Sequence, residues 1–374
     1  MSRKQLILHV GFHKSGTSSL QESLHVQRQE LLENGISYPA IGYTGRKAHH
    51  RIAWALTQKP WGWKTRGGET TPYRHFSRII GRINRSKVQK IVLSTEFFSE
   101  LTADQIQKIK LAVKNRDVKI LFTIRPLAKI LASSYQQYLK YGIKADYEKW
   151  LHAVLDEPGV AKLTPTFWKR HQHAEVIQRW SDVFGPESVT LIVADETRPD
   201  FLYEAVNSYL ELPEGSLKAQ PTGTNRSLSM EEVSLLLEIN NRFPKDRPWK
   251  EYLFFVRQGF VRNLTDHIPV AANSSKLLTP KWAVDKANEI GNASIEAIKA
   301  MQIEVRGSLD SLKDANVPEG ETTYASSIDI QTVAQAILAF DRAQIMRIPN
   351  SWIAEKSVRK LRRIVRRLLG RSTK

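Results

Sequence analysis

The first 35 residues restrict the possible folds more than any other part of the chain. The run QLILHVG (5–11) is apolar and rich in strand-forming residues, which is typical of a strand buried on both faces. A loop with a glycine at position 16 follows, and then leucines recur at helical spacing up to Gly35, where a helix can end. We therefore predict a strand, a glycine loop and a helix, in that order.

Three later apolar runs predict further strands, and helical patterns separate them. The runs are Lys90–Ser94, Val118–Ile124 and Ser188–Ala194. Between the first two, TADQIQKIKLAVKN has helical spacing with Thr102 as its N-cap. Strands that alternate with helices favour a parallel sheet with helices on both faces. The predicted fold class is therefore a three-layer α/β/α fold with a central parallel sheet, of the P-loop nucleotide-binding type, plus a helical C-terminal extension.

The domain organisation follows from where the strand pattern stops. From about residue 228 the spacing is mostly helical, and KDANVPEGETTYASS resembles a linker. We predict an α/β domain over 1–310, a linker over 311–327 and C-terminal helices over 328–374. We find no internal repeat in the sequence.

Composition narrows the classes of function. The 374-residue chain has no cysteine, which excludes disulfides, thiolate zinc sites and cysteine nucleophiles. Its formal net charge is +18, with nine Lys/Arg against one Glu in residues 351–374. A basic protein suits anionic ligands such as nucleotides, sulfated or phosphorylated sugars, nucleic acid or acidic membranes. The N-terminal apolar run reads as a strand and not as a signal peptide, so the expected location is cytoplasmic.

The loop itself, HKSGTSSL, has the chemistry of an anion site. A helix N-terminus offers unpaired backbone N–H groups and the positive end of the helix dipole. Lys14 adds a charge, Gly16 permits close backbone approach, and hydroxyls are contributed by Ser15, Thr17, Ser18 and Ser19. The plain alternative is a capped helix after a serine-rich turn. In a nucleoside triphosphatase a lysine follows the second glycine, but here Thr17 occupies that position.

HKSGTSSL instead resembles the 5′-phosphosulfate loop of bacterial-like sulfotransferases that use 3′-phosphoadenosine-5′-phosphosulfate (PAPS). In that family the lysine precedes the glycine and points at the bridging oxygen of the leaving phosphate. The family also binds the 3′-phosphate with an arginine at a strand end and a serine eight residues on. Arg125 and Ser133 in TIRPLAKILASSYQQYLK have this spacing, and Tyr135 falls where the family often has an aromatic residue.

Two weaker similarities extend the resemblance to roughly residues 5–230. The strand before Asp195-Glu196 is similar to one that usually ends in Tyr-Glu or Phe-Glu in the family. The segment TNRSLSMEE lies where the family often closes a basic loop over the 3′-phosphate, which makes Arg226 a candidate contact. The resemblance does not extend to the C-terminal third.

The resemblance implies in-line sulfuryl transfer from PAPS to a hydroxyl or amine, with adenosine 3′,5′-bisphosphate as the product and no metal. Lys14 would offset charge on the leaving oxygen. An acceptor hydroxyl needs a base, and the family places a His or a Glu after the strand that precedes the 3′-phosphate strand. Glu96 is the first candidate and Glu100 is less favoured. The alternatives are His49 and His50, of which at most one can serve because adjacent residues face different ways.

The acceptor and the tail leave several hypotheses open. Aromatic and basic residues in PWGWKTRGGETTPYRHF (60–76) would suit a carbohydrate or other glycoconjugate. The segment 357–374 predicts a basic amphipathic helix, for which contact with an anionic inner membrane surface is slightly favoured over packing on protein. Nucleic acid is an unlikely partner. The rival functions are a nucleotide or small-molecule kinase with a rearranged loop, and a non-catalytic anion-binding module.

Overall fold

The structure is a computed structural model that covers most of the chain. It describes residues 3–41, 49–60, 62–63, 66–68, 70–195, 197–220, 226–270, 274–330 and isolated positions between 333 and 364. The predicted basic helix over 357–374 therefore lies mostly outside the described residues, as do Glu196 and parts of 60–76.

A parallel sheet forms the centre of the fold. The strands of the described chain are β1 (Gln5–His9), β2 (Ile36–Ser37), β3 (Gly62–Trp63), β4 (Arg66–Gly67), β5 (Lys90–Ser94), β6 (Asp117–Ile124), β7 (Val189–Val193) and β8 (Glu304–Arg306). Six of them form one sheet in the order β2-β5-β1-β6-β7-β8, and every neighbouring pair is parallel. β3 and β4 form a separate antiparallel pair. The register aligns Gln5 with Lys90 on one side and with Asp117 on the other.

Helices connect the strands and continue after them. They are α1 (Thr17–Val26), α2 (Arg28–Glu33), α3 (His50–Thr57), α4 (Arg74–Arg85), α5 (Ala103–Ala112), α6 (Leu127–Leu139), α7 (Tyr147–Leu155), α8 (Thr166–His171), α9 (His173–Phe184), α10 (Phe201–Leu210), α11 (Met230–Arg242), α12 (Trp249–Tyr252), α13 (Arg262–His267) and α14 (Lys281–Ala300). Short 3₁₀ helices span Glu96–Glu100, Pro186–Ser188 and Leu309–Leu312, and a π-helix spans Leu253–Val261.

Side chains alternate between two cores, one on each face of the sheet. In β1, Leu6 and Leu8 enter one core, whereas Ile7 enters the other. The first core also takes buried residues from α3, α4, α5, α9 and α14. The second takes them from α1, α2 and α10. Because strand residues point alternately to opposite faces, this arrangement confirms the predicted three-layer fold.

Local signals in the sequence match the observed element boundaries. The four predicted strands are present, and Thr102 caps α5 with a capping box formed with Gln105. Ser229 caps α11 in the same way through Glu232. β2 and β8 were not predicted, because two and three residues are too short to show a strand period.

The chain divides into two compact units. The first comprises Met1–Leu139, Lys144–Thr222 and Lys276–Thr323 and contains the whole six-stranded sheet. The second comprises Lys140–Ile143, Gly223–Ser275 and Tyr324–Lys374, and its described elements are helical. The boundaries predicted at 310 and 327 stay a prediction. Within the described residues, no helix is long and apolar enough to cross a membrane.

Candidate active site

The glycine loop lies at the carboxyl end of β1, in the middle of the sheet. β5 flanks β1 on one side and β6 on the other. The chain passes from β1 to the β2–β5 side and only later crosses to β6, so the strand order reverses at β1. In open parallel sheets a crevice forms at such a reversal, beyond the carboxyl ends of the strands.

The loop backbone turns through two left-handed residues before α1 begins. Lys14 has φ 68° and Gly16 has φ 86°, a region in which L-residues are strained and glycine is not. Gly16 is the N-cap of α1, and no side chain caps this helix. The first N–H groups of a helix have no intrahelical acceptor, so they can meet an anion here.

Two of the predicted loop hydroxyls support the loop from inside. Ser15 Oγ donates to the Phe12 carbonyl at 2.7 Å and lies 2.9 Å from Thr123 Oγ1. Thr17 Oγ1 donates to the same carbonyl at 3.1 Å. Both residues are buried, with 1% and 4% exposure. Thr17 can therefore contact a ligand through its backbone N–H group, whereas Ser15 N already donates to the Phe12 carbonyl at 3.3 Å. The Ser15 hydroxyl holds the loop on β6 through Thr123.

The other two hydroxyls lie nearer the surface. Ser18 is exposed. Ser19 is half-buried, and its Oγ is 2.5 Å from the Tyr203 hydroxyl. Ligand contact by these two side chains stays a prediction.

Lys14 and Glu96, the two predicted catalytic residues, interact electrostatically. The Lys14 side chain reaches solvent, yet the surrounding protein lowers its pKa by desolvation, with a further lowering by Arg170 and an opposing effect of the Glu96 carboxylate. Glu96 lies at the carboxyl end of β5, and its Oε2 accepts from Gln21 Nε2 at 3.2 Å. A cation and a carboxylate are thus within electrostatic reach of each other at this end of the sheet.

Arg125 is at the carboxyl end of β6, beside the loop. Its Nη1 donates to the Lys14 carbonyl at 3.4 Å, and burial lowers its pKa. Ser133 lies further along α6, where its Oγ donates to the Ile130 carbonyl at 3.0 Å. To donate to a phosphate, the Ser133 hydroxyl would have to rotate.

The structure adds Lys129 to this group, which the sequence reading missed. Desolvation lowers the pKa of Lys129, Arg125 lowers it further, and Asp195 opposes the shift. Lys129 and Ser133 are four residues apart on α6 and so share a helix face. The spacing Arg125, Lys129, Ser133 is the signal that could have found it.

The structure separates the two histidine candidates. His49 is 1% exposed, its Nδ1 accepts from Ser94 N at 2.9 Å, and its Nε2 lies 2.8 Å from the Pro39 carbonyl. Both ring nitrogens are therefore engaged, and burial lowers its pKa to about 4. His49 is structural, whereas His50 lies beside Glu96, with 3.8 Å between His50 Nδ1 and Glu96 Oε2.

Glu100 is committed to a partner of its own. Its Oε1 accepts from Arg170 Nε at 2.7 Å and lies 3.6 Å from His13 Nε2. Both side chains of the Glu100–Arg170 pair are largely buried, at 14% and 10% exposure. This pair leaves Glu96 and His50 as the better base candidates.

Arg226 and Tyr135 both have structural partners. Arg226 belongs to the second unit, where its five N–H donors reach both carboxylate oxygens of Glu232 and the carbonyls of Ser227, Leu264 and Ile268. A phosphate contact by Arg226 stays a prediction and would require it to give up some of these bonds. Tyr135 is fully buried, and its hydroxyl donates to the Ala145 carbonyl at 3.1 Å.

A group of three or more His, Asp or Glu side chains placed to hold a metal ion is not found among the described residues. The groups at the carboxyl end of the sheet are the N-terminus of α1, several cations and the His50–Glu96 pair.

Comparisons with solved structures find several chains of similar fold. The chain is similar to a sulfotransferase from Alicyclobacillus acidocaldarius, with a TM-score of 0.42 and 18% sequence identity over 64% of this chain and 93% of that chain. No family model matches the chain, and no curated protein matches it. A likeness at this level says nothing about the reaction of this chain, so function rests on the site.

Proposed function

We propose that this protein is a PAPS-dependent sulfotransferase that moves a sulfuryl group to a hydroxyl or amine. The observation that carries the proposal is the uncapped N-terminus of α1 directly after Lys14, with Glu96 within electrostatic reach of that lysine. Sulfuryl transfer needs a cation at the leaving oxygen and a proton acceptor on the other side of the moving group. One residue of each kind lies here.

The co-substrate fits the charges at the end of the sheet. PAPS is anionic at its phosphosulfate and again at its 3′-phosphate. The N-terminus of α1 with Lys14 would hold the first group, and Arg125 with Ser133 would hold the second, with Lys129 as an added cation. The lowered pKa values of Arg125 and Lys129 indicate cations crowded into a partly desolvated place, which an anion would relieve.

In the proposed step, the acceptor oxygen or nitrogen attacks sulfur in line with the bridging oxygen. The new bond to sulfur forms as the bond to the bridging oxygen breaks, and that oxygen leaves on adenosine 3′,5′-bisphosphate with the electron pair. Lys14 offsets its charge. The acceptor proton passes to a base, for which Glu96 and His50 are the candidates.

A carbohydrate or other glycoconjugate is the proposed acceptor class. The aromatic rings of Phe97 and Trp54 lie 5.0 and 5.5 Å from the His50 ring, centroid to centroid. Ring faces beside polar groups suit sugar rings, which present apolar faces edged by hydroxyls.

The proposal extends to anionic membrane contact by the basic tail, in which Val358, Leu361 and Ile364 are exposed.

The rival is a kinase with a rearranged loop. It predicts preference for ATP with magnesium, whereas the lysine position in HKSGTSSL favours PAPS. A non-catalytic anion-binding module predicts binding without transfer.

The test is calorimetric titration with adenosine 3′,5′-bisphosphate and, separately, with ATP and magnesium. We expect tight binding of the bisphosphate and weak binding of ATP. The reverse order would refute the proposal and support the kinase. Tight bisphosphate binding without sulfuryl transfer to any of a broad panel of sugars and phenols would support the non-catalytic module.

A further inference from the structure

The side chain of His50 is held by its Nδ1 atom. That nitrogen lies 2.8 Å from Thr95 Oγ1 and 3.8 Å from Glu96 Oε2. Phe97 contacts the ring edge to face at 5.0 Å between centroids. The His50 side chain is 29% exposed, so the ring is fixed on one side and open to solvent on another.

The neighbours of Nδ1 favour a proton on that atom. Thr95 Oγ1 already accepts from Phe97 N at 3.3 Å, and a hydroxyl oxygen has a second lone pair for an Nδ1–H donor. The Glu96 carboxylate, on the same side of the ring, favours an N–H that points toward it. A neutral imidazole with its proton on Nδ1 has its lone pair on Nε2.

We infer that His50 is the general base of the transfer, and that Glu96 is the positioning residue that keeps the Nδ1–H tautomer. This inference rests on the proposed function and assigns the base that it left open. Glu96 is less suited to be the base because its Oε2 already accepts from Gln21 Nε2 and lies 3.8 Å from His50 Nδ1. An acceptor hydroxyl would have to compete with these contacts at that oxygen.

The proton balance is simple. The acceptor O–H proton moves to His50 Nε2 as the acceptor oxygen bonds to sulfur. The bridging oxygen leaves with its electron pair beside Lys14. His50 is then an imidazolium next to the Glu96 carboxylate, and it returns its proton to solvent before the next turnover.

Other titratable groups near His50 must be distinguished from it in a pH profile. His13 and His49 are described neighbours that interact electrostatically with His50. Burial lowers the pKa of both of these histidines, so they are neutral near pH 7.

The first arm of the test measures the tautomer and needs no acceptor. The chain with ¹⁵N-labelled histidine is examined by long-range ¹H–¹⁵N NMR near pH 7.5, with His50→Gln used to assign the His50 signals. We expect proton occupancy on Nδ1 in the wild type and a shift toward Nε2 in Glu96→Gln. A proton on Nε2 in the wild type overturns the inference.

The second arm measures transfer from PAPS against pH, with an acceptor on which the wild type is active. His50→Gln should lower the rate by about 10²–10⁴-fold and remove the acidic limb of the profile. Glu96→Gln should cause a smaller loss and keep that limb. The opposite pattern makes Glu96 the base and overturns the inference.

A matched control is the pair on α7, where His152 Nδ1 lies 3.2 Å from Asp156 Oδ2 on the exposed surface. His152→Gln and Asp156→Asn should leave rate and profile unchanged. Bisphosphate binding is measured for every variant. A wild type that neither binds the bisphosphate nor transfers refutes the proposed function itself, whereas normal transfer by His50→Gln refutes only the inference.

Discussion

The cationic side chains at the two ends of the sheet have different surroundings. At the amino end, Arg116 is buried and donates to five backbone carbonyls: Gln5, Ile83, Ser86, Val88 and Gln89. At the carboxyl end, desolvation lowers the pKa values of Lys14, Arg125 and Lys129, and Arg125 lowers that of Lys129 further. Every N–H donor of Arg116 has an acceptor at the amino end. The carboxyl end instead concentrates positive charge.

The difference separates a structural cation from a ligand-binding one. The Arg116 guanidinium links the amino ends of β1, β5 and β6 through backbone carbonyls, and this stabilises the folded protein. Crowded cations cost folding free energy, and a bound anion would recover it. We expect substitutions at the carboxyl end to change function and those at the amino end to change stability.

The largest expected effect is that of Lys14→Ala. Removing a group that stabilises developing charge costs about 10²–10³-fold in turnover. The thermal midpoint should not fall, because the Lys14 side chain reaches solvent. Transfer assays and thermal unfolding check this, with the exposed Lys108→Ala as the control. Near-normal turnover would show that the cations at the carboxyl end do not serve the reaction.

Arg116→Met should instead weaken the fold. It leaves carbonyls at the amino end without a donor, each costing about 1–3 kcal/mol if buried, so unfolding should become easier by about 3 kcal/mol. Denaturant titration measures this, and bisphosphate binding by the folded protein should persist. Arg3→Met, which breaks the exposed Arg3–Asp117 pair, should cost about 1 kcal/mol or less. Equal losses in the two variants would show that the carbonyl cluster is unimportant.

Arg125→Ala should weaken binding of adenosine 3′,5′-bisphosphate by about 10- to 100-fold, since a hydrogen bond to a charged group contributes about 1.5–3 kcal/mol. Lys129→Ala should cause a smaller loss in the same direction. AMP, which lacks the 3′-phosphate, should bind each variant as it binds the wild type. Calorimetry measures the affinities. Equal losses of affinity for the bisphosphate and for AMP would show that the 3′-phosphate binds elsewhere.

The smallest effect for any one residue is the pH dependence from the buried histidines. Burial lowers the pKa of His9 to about 3 and that of His49 to about 4, below the ordinary 6.5 of the unfolded chain. The unfolded state therefore binds more protons in this window, and stability present above pH 6.5 is lost as the pH falls toward 4. Between pH 7 and 5.5 each contributes about 1 kcal/mol. Denaturant titration at both pH values tests this, and stability that does not fall would contradict it.

Prediction from sequence succeeded where the signal is local. The loop, the strand ends before Glu96 and Arg125, and the Thr102 N-cap each depend on a few adjacent residues. It failed for Lys129, because a lysine on a helix is usually a solvated charge and only its neighbours distinguish it. It could not separate His49 from His50, because adjacency says that they face different ways but not which faces the site.

The sequence by itself determined the parallel α/β architecture, since the apolar periods and caps follow from local backbone preferences and burial. Only the tertiary structure decided the partners. It shows that Arg226 binds Glu232, that Arg170 binds Glu100 and that Ser15 binds the Phe12 carbonyl. Such pairings join residues distant in the chain, and their strength depends on burial and distance, which no local pattern encodes.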